Sequence, residues 1–149
     1  MYDYREDRFY KMYLVLFIVT NFSKNKKERK ILTLRKIELL YFIIKNPIKL
    51  KSCLINLELG EINNYKPLLY DNSVFADDFD FLDNIRETIV YLISVGKINY
   101  QIIDGTKYFY SKSQELVEAP NDIIGSNFQM ILKLASQSES KLTKAIVGI

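Results

Sequence analysis

The dipeptide Asp104-Gly105 is the sequence feature that most constrains the fold of this chain. It separates two β-rich runs, residues 97–103 (KINYQII) and residues 106–111 (TKYFYS). Asp-Gly between such runs is a strong cue for a two-residue hairpin turn, because both central residues of that turn need positive φ. The sequence therefore predicts a β-hairpin over residues 97–111.

Apolar residues at helical spacing predict helices on both sides of this hairpin. The expected helices are residues 3–22, 33–45, 48–57 and 79–96, a stripe from Phe128 to Ala135, and a short final helix over residues 141–146. In the first helix the predicted stripe contains Phe9, Met12, Tyr13, Leu16, Phe17 and Val19. The run from Leu14 to Val19 also fits a buried strand, and periodicity alone does not decide between the two.

The helix over residues 33–45 is apolar on almost every side. Such a helix must be buried on most of its sides, in the core of this chain or against another chain. Pro47 ends it, because the residue before a proline avoids helical backbone angles, and can then begin the next helix.

Residues 58–77 are rich in turn formers and predict an irregular insert. Asp77, Asp78 and Asp80 crowd the start of the following helix, where carboxylates favour the positive end of the helix dipole. We predict that structural role for them rather than a metal site, since hard-cation loops need a spaced ligand series. Gly96 is the expected C-cap of this helix.

The predicted helices over residues 33–45, 48–57 and 79–96 are followed by the hairpin. Three helices and then a two-stranded wing are the element order of a winged helix-turn-helix domain. We therefore predict a mainly α protein with a small β-hairpin (α+β). Residues 1–30 form an N-terminal helix and a basic loop, residues 31–112 a winged-helix-like domain, and residues 113–149 a C-terminal helical tail. At 149 residues these parts fit one compact unit.

The residue types exclude several kinds of catalytic site. The chain has no histidine and one cysteine, which excludes histidine-activated nucleophiles, an internal disulfide and a cysteine-based zinc site. Its five glycines are scattered, so there is no phosphate-binding loop for ATP. Cys53 lies among leucines and is expected to be a small buried hydrophobe. We predict no catalytic residue, cofactor or metal, and a small enzyme using Asp78 with Asp80, or Asp80 with Asp83, is the weakest alternative.

Charge is distributed unevenly along the chain. Residues 24–51 hold ten basic and two acidic side chains, whereas residues 52–96 hold two basic and eight acidic ones. The candidates for nucleic-acid phosphate contact are Lys24, Lys26, Lys27, Arg29, Lys30 and Lys107. A solvated linker explains the first five equally well. The helix over residues 79–96 carries three acids against Arg86 alone, so we do not expect it to read DNA bases.

Aromatic residues are abundant, with nine Phe and eleven Tyr. One small core does not need so many, and the buried centres of protein interfaces favour both types. The candidate partner-binding residues are Phe9, Tyr13, Phe17, Tyr108 and Tyr110. In the hairpin alternate residues face the core, so at least half of its aromatic side chains are expected to be structural.

The most apolar run, residues 12–19, is shorter than the roughly 20 residues that a membrane span needs. We find no export signal and expect a cytoplasmic protein without a membrane partner.

Three segments together resemble a known family. They are residues 31–54 (ILTLRKIELLYFIIKNPIKLKSCL), residues 79–112 (FDFLDNIRETIVYLISVGKINYQIIDGTKYFYSK) and residues 128–146 (FQMILKLASQSESKLTKAI), with the acidic insert between the first two. The order and spacing of their apolar residues resemble the middle component of ABC-three-component systems, in the Lamassu group of bacterial antiphage defences. In that family a helix closing on a glycine and an apolar residue, here Gly96 and Ile98, opens the hairpin.

The resemblance implies a non-enzymatic accessory subunit with no catalytic motif. Its expected partners are an SMC/Rad50-like ABC ATPase and an effector, often a nuclease, in a hetero-oligomer that senses foreign DNA. The alternative that the residues leave open is a winged-helix DNA-binding regulator or replication protein. The acidic charge of the helix over residues 79–96, which is the third helix of the predicted winged-helix domain, bears on the choice between the two.

Overall fold

The computed structural model describes residues 8–63, 84–111 and 117–148. Within these ranges the chain forms seven helices and one two-stranded antiparallel sheet. The elements are α1 (Arg8–Phe22), α2 (Leu34–Lys45), α3 (Pro47–Asn56), α4 (Asn84–Ser94), β1 (Asn99–Ile103), β2 (Thr106–Tyr110), α5 (Asp122–Ser126), α6 (Phe128–Ala135) and α7 (Glu139–Val147). The prediction of a mainly helical α+β protein with a small hairpin is confirmed.

Helix α2 is the centre of the core. Every residue from Lys36 to Ile44 is buried, and the helix packs against α1, α3, α6, α7 and β2. It begins where Thr33 Oγ1 accepts the N–H of Lys36 at 3.2 Å, which satisfies one of the free donors of the first turn. Pro47 then begins α3 in the first turn, where its missing N–H costs nothing. The prediction that this helix is buried on most sides is confirmed.

Helix α1 corrects two expectations. Residues 14–19 are helical, so the strand alternative is wrong. The predicted stripe is also wrong in part, since Phe9 and Tyr13 are exposed. The buried residues of α1 are Leu14, Val15, Phe17, Ile18, Val19 and Phe22. This part of the helix is apolar on almost every side, so its contacts with α2, α4 and β2, and not its periodicity, decide which sides are covered.

The hairpin forms where the sequence predicts it. Asp104 and Gly105 have φ of +50° and +82°, the positive values that the two-residue turn requires. The register pairs Ile103 with Thr106 and Asn99 with Tyr110. Gly96, with φ of +80°, ends the turn after α4, as expected of a C-cap.

The C-terminal helices close the core around α2 and α3. Asn56 Nδ2 donates to the carbonyl of Ala145 at 2.9 Å, and Lys49 Nζ lies 3.4 Å from the carbonyl of Ile146. These side chains of α3 satisfy carbonyls near the end of α7 that have no partner within their own helix. Helix α5 was not predicted, although Asn121, whose side chain accepts the N–H of Ile124 at 2.9 Å, is a good N-cap signal.

The helix-turn-helix arrangement expected of α2, α3 and α4 is not confirmed. Among the described residues α3 packs against α2 and α7, whereas α4 packs mainly against α1. Several expectations lie outside the described residues, namely residues 3–7 of the first helix, residues 64–77 of the insert, residues 79–83 of the helix predicted over 79–96, and the carboxylates of Asp77, Asp78, Asp80 and Asp83. No helix within the described ranges has the length and apolar character to cross a membrane.

Candidate interaction surfaces

Two observations bear on catalytic chemistry in the described part of the chain. No group of three His, Cys, Asp or Glu side chains there is placed to hold a metal ion. Cys53 is fully buried, and this burial raises the pKa of its thiol to about 12, with the nearby charge of Lys49 opposing the shift. At neutral pH the thiol is therefore protonated and is a poor nucleophile. The expectation that Cys53 is a small buried hydrophobe is confirmed.

An ion pair between a buried carboxylate and an exposed arginine joins α2 to α4. The carboxylate of Glu38 is 1% exposed, and its Oε1 lies 3.3 Å from Nη2 of Arg86. A buried carboxylate needs such a partner, because without one its desolvation is not compensated. Arg86 is the only basic residue of α4, so the one positive charge of this helix is bound to Glu38.

The first candidate surface lies between α1 and α4. Phe9 is 67% exposed and Tyr91 is 51% exposed. Both side chains line a cleft of about 520 Å³, whose other described lining residues are Arg8, Lys11, Met12, Glu87 and Thr88. Val95 directly follows α4 and is exposed one helical turn beyond Tyr91. We call Phe9, Met12, Tyr91 and Val95 the α1–α4 surface.

Two aromatic residues predicted to bind a partner have roles within the chain. Phe17 is 1% exposed, and its ring packs edge-on against Phe22 and Phe128 at centroid distances of 5.6 and 6.2 Å. Phe17 is therefore a core residue, and the prediction that it binds a partner is wrong. Tyr13 stays exposed, but its hydroxyl donates to the carbonyl of Glu118 at 2.9 Å and so ties the segment after the hairpin to α1.

The structure also exposes apolar residues that the sequence reasoning missed. On α4 and directly after it these are Val90, Tyr91 and Val95, and on the hairpin they are Tyr100, Ile102 and Ile103. We call Tyr100, Ile102 and Ile103 the hairpin tip. A hairpin that extends beyond the core leaves its outer apolar residues uncovered on both faces. The adjacent residues Ile102 and Ile103 in the run KINYQII were the sequence signal, because neighbours on a strand point to opposite faces.

The second candidate surface is the basic loop, residues 24–30. Asn25 organises it, because its Oδ1 accepts the N–H groups of Lys27 and Arg29 at 2.9 and 3.0 Å. Lys24 and Lys30 form an antiparallel bridge that closes the loop. Lys24, Lys26, Lys27 and Arg29 are exposed. The segment is therefore an ordered turn with exposed cations and differs from a solvated linker, whose backbone would have no such hydrogen bonds.

The basic loop runs directly into the edge of β2. The N–H of Phe109 donates to the carbonyl of Leu32 at 2.8 Å, so residues just after the loop extend the pairing of β2. Lys30 Nζ lies 5.0 Å from the ring centroid of Tyr110, a cation–π distance. Tyr108 shares a face with Tyr110, since side chains two apart on a strand point the same way.

Lys107 does not belong to this group. Its Nζ lies 5.0 Å from the ring centroid of Tyr100, which shares a face of the hairpin with Phe109. Adjacent residues on a strand point to opposite faces, so Lys107 lies opposite Tyr108 and Tyr110. The structure therefore brings together five of the six predicted phosphate contacts and separates the sixth.

The α1–α4 surface and the basic loop lie near opposite ends of α1. Phe9 is close to its N-terminus, and Lys24 follows its C-terminus by two residues. At about 1.5 Å of rise per residue, they are separated by about 20 Å along the helix axis.

Comparisons of the chain with protein-family models, with curated proteins and with solved structures found no match.

Proposed function

We propose that this chain is a non-enzymatic bridging subunit of a bacterial antiphage defence complex, which links an SMC/Rad50-like ABC ATPase to an effector subunit such as a nuclease. The resemblance of residues 31–54, 79–112 and 128–146 to middle components of ABC-three-component systems supports this proposal. The structural observation on which it rests is the α1–α4 surface, where two aromatic side chains are exposed beside a cleft.

The chemistry of the α1–α4 surface suits a protein partner. Burying a Phe or a comparable apolar side chain in an interface stabilises the complex by about 1.5–3 kcal/mol. Arg8, Lys11 and Glu87 line the same cleft and supply polar groups around the aromatic pair. An apolar centre with a polar rim is the arrangement typical of specific protein interfaces.

A bridging subunit needs a second contact, and the hairpin tip supports that part of the proposal. The hairpin register makes Ile102 and Lys107 a non-hydrogen-bonded pair, so the backbone N–H and C=O of Ile102 point away from β2. An exposed strand edge with apolar side chains accepts an added strand from a partner. We assign the hairpin tip to the second subunit of the complex.

The alternative of a winged-helix DNA-binding regulator has less support. The element order from α2 to the hairpin is that of a winged helix, and we keep the winged-helix domain as a prediction. A reading helix needs side chains that can bond base edges. On α4 the one Arg pairs with Glu38, and the neighbouring exposed residues include Glu87, Val90 and Tyr91. This surface suits a protein better than a DNA groove.

The proposal predicts that an SMC/Rad50-like ABC ATPase is encoded beside this chain, and co-expression of the two proteins tests it. We expect the tagged chain to purify with the ATPase as one complex in size-exclusion chromatography. The double variant Phe9→Ser/Tyr91→Ser removes both aromatic side chains from the α1–α4 surface and is expected to weaken that complex at least tenfold, because the anchors of the interface are lost.

The matched control is Ile55→Ser/Val147→Ser, which removes two exposed apolar side chains from α3 and α7. We expect it to leave the complex intact, and both proteins to melt within a few degrees of the wild type. Purification of this chain as a monomer in the presence of the ATPase contradicts the bridging role. Equal loss of binding in both double variants contradicts the assignment of ATPase binding to the α1–α4 surface.

A further inference from the structure

We infer that the basic loop together with the outer face of β2 is a binding site for the phosphate backbone of double-stranded DNA, used without sequence preference. This inference is independent of the bridging role, since it concerns the isolated chain.

The charge of the loop has little internal compensation. Residues 24–30 contain five basic side chains and one acid, Glu28. Glu28 lies 3.8 Å from Lys24, with both side chains well exposed to solvent. Exposed pairs of this kind contribute little energy, because water and salt screen them. The other four cations have no carboxylate within ion-pair distance among the described residues, so the loop offers a concentrated positive charge to an anion.

The loop geometry holds these cations in place before any ligand binds. The N–H of Asn25 donates to the carbonyl of Arg29 at 2.9 Å, and the N–H of Ile31 donates to that of Ser23 at 3.0 Å. With the two bonds to Asn25 Oδ1, the backbone of the loop is fixed from both ends. A preorganised site loses less conformational entropy on binding than a flexible linker would.

The neighbouring aromatic residues favour a duplex over a single strand. Proteins that bind single strands stack bases on exposed aromatic rings. Here Lys30 Nζ lies over one face of the Tyr110 ring, and both Tyr108 and Tyr110 are half-buried. The surface therefore offers charge rather than free ring faces, which suits contact with the backbone of a duplex.

No element among the described residues carries free basic side chains in a position to read bases, so no sequence preference is expected. Phosphate contacts position a protein on DNA, whereas base contacts specify the sequence. Arg86, the one basic residue of α4, is paired with Glu38. The site consequently has the electrostatic part of DNA recognition without the part that reads bases.

The test is fluorescence polarisation of the purified full chain with a duplex of about 30 random base pairs over a series of salt concentrations. The logarithm of affinity is expected to fall linearly with the logarithm of salt, at a slope of about −3 for three to four phosphates contacted. The triple variant Lys26→Gln/Lys27→Gln/Arg29→Gln is expected to lose at least tenfold in affinity and to show a slope closer to zero by about 2–3. These three side chains point into solvent and the loop bonds use the backbone, so folding is preserved.

The control variant Lys133→Gln/Lys141→Gln/Lys144→Gln removes the same charge from exposed positions on α6 and α7. We expect it to bind DNA within twofold of the wild type, as should Lys107→Gln on the opposite face of the hairpin. Equal loss in both triple variants overturns the inference, because net charge alone would then explain binding. Tighter binding of a single strand of the same length, or no binding by the wild type at about 50 mM salt, also overturns it.

Discussion

Lys36 is a charged residue of α2, in which every residue from 36 to 44 is buried. Its side chain is 6% exposed, and desolvation by burial lowers the pKa of its amine below the ordinary value of 10.5. The carboxylate of Glu139 acts in the opposite direction but with a smaller effect. The protonated amine at neutral pH is thus less stable in the folded chain than in the unfolded one.

Replacing Lys36 by Met tests this cost. Between the lowered folded pKa and 10.5 the unfolded chain binds more protons than the folded chain, so the stability of the wild type rises with pH over that interval. We expect Lys36→Met to be more stable than the wild type by about 1 kcal/mol near neutral pH. Urea unfolding near pH 7 and near pH 10 measures both free energies, and the difference should shrink at the higher pH. An unchanged difference contradicts an ionisable cost at this site.

The hairpin is the element whose local sequence and tertiary placement are easiest to separate. Its turn depends on Asp104 and Gly105 alone, whereas its position depends on Phe109, which is buried and bonds to Leu32. The same bond brings the basic loop beside β2. A weaker turn should therefore loosen the hairpin tip while the base of the hairpin stays in place.

Gly105→Ala tests the turn. No atom lies within 4 Å of where the new Cβ would be, so the cost comes from the positive φ of +82° and not from a clash. We expect the variant to be less stable by about 1 kcal/mol, or about 2–4 °C in Tm for a domain of this size. Thermal melting followed by circular dichroism measures this. Asp104→Asn is the control and should melt like the wild type, because Asn suits the first turn position equally well.

At the scale of the whole molecule, distant segments are joined by a few buried polar contacts around one core. Asn127 is 1% exposed and lies between α5 and α6. Its Oδ1 accepts the N–H of Asn63 at 2.7 Å, and its Nδ2 donates to the carbonyls of Asn63 and Ile123 at 2.8 and 2.7 Å. One side chain thus fixes the segment after α3 to the C-terminal helices.

Asn127→Ala is expected to lower the free energy of unfolding by about 2–3 kcal/mol, because it leaves backbone groups of two segments without partners. Chemical denaturation checks the value. The control Gln137→Ala removes one exposed side-chain bond, from Nε2 to the carbonyl of Lys133, and should cost less than about 0.5 kcal/mol. Equal costs for the two variants would contradict the special role of Asn127.

The candidate surfaces were partly predictable. Phe9 was expected to be available to a partner and is exposed, and the cations of the basic loop were identified as a group. Tyr91 and Val95 are not among the partner-binding residues that the sequence predicts, although both are exposed. Which apolar positions of a helix remain in solvent depends on how many neighbours pack against it, and sequence spacing does not give that number.

The sequence by itself determined the features that depend on adjacent residues: the Asp-Gly turn, the helix that ends before Pro47, and the burial of a helix with apolar residues on every side. Only the tertiary structure decided which face of α1 is buried, that Arg86 pairs with Glu38, and that the basic loop lies along β2 while Lys107 lies on the opposite face. Backbone preferences act over a few residues, whereas these contacts join segments that are far apart in the chain and form only when the core closes.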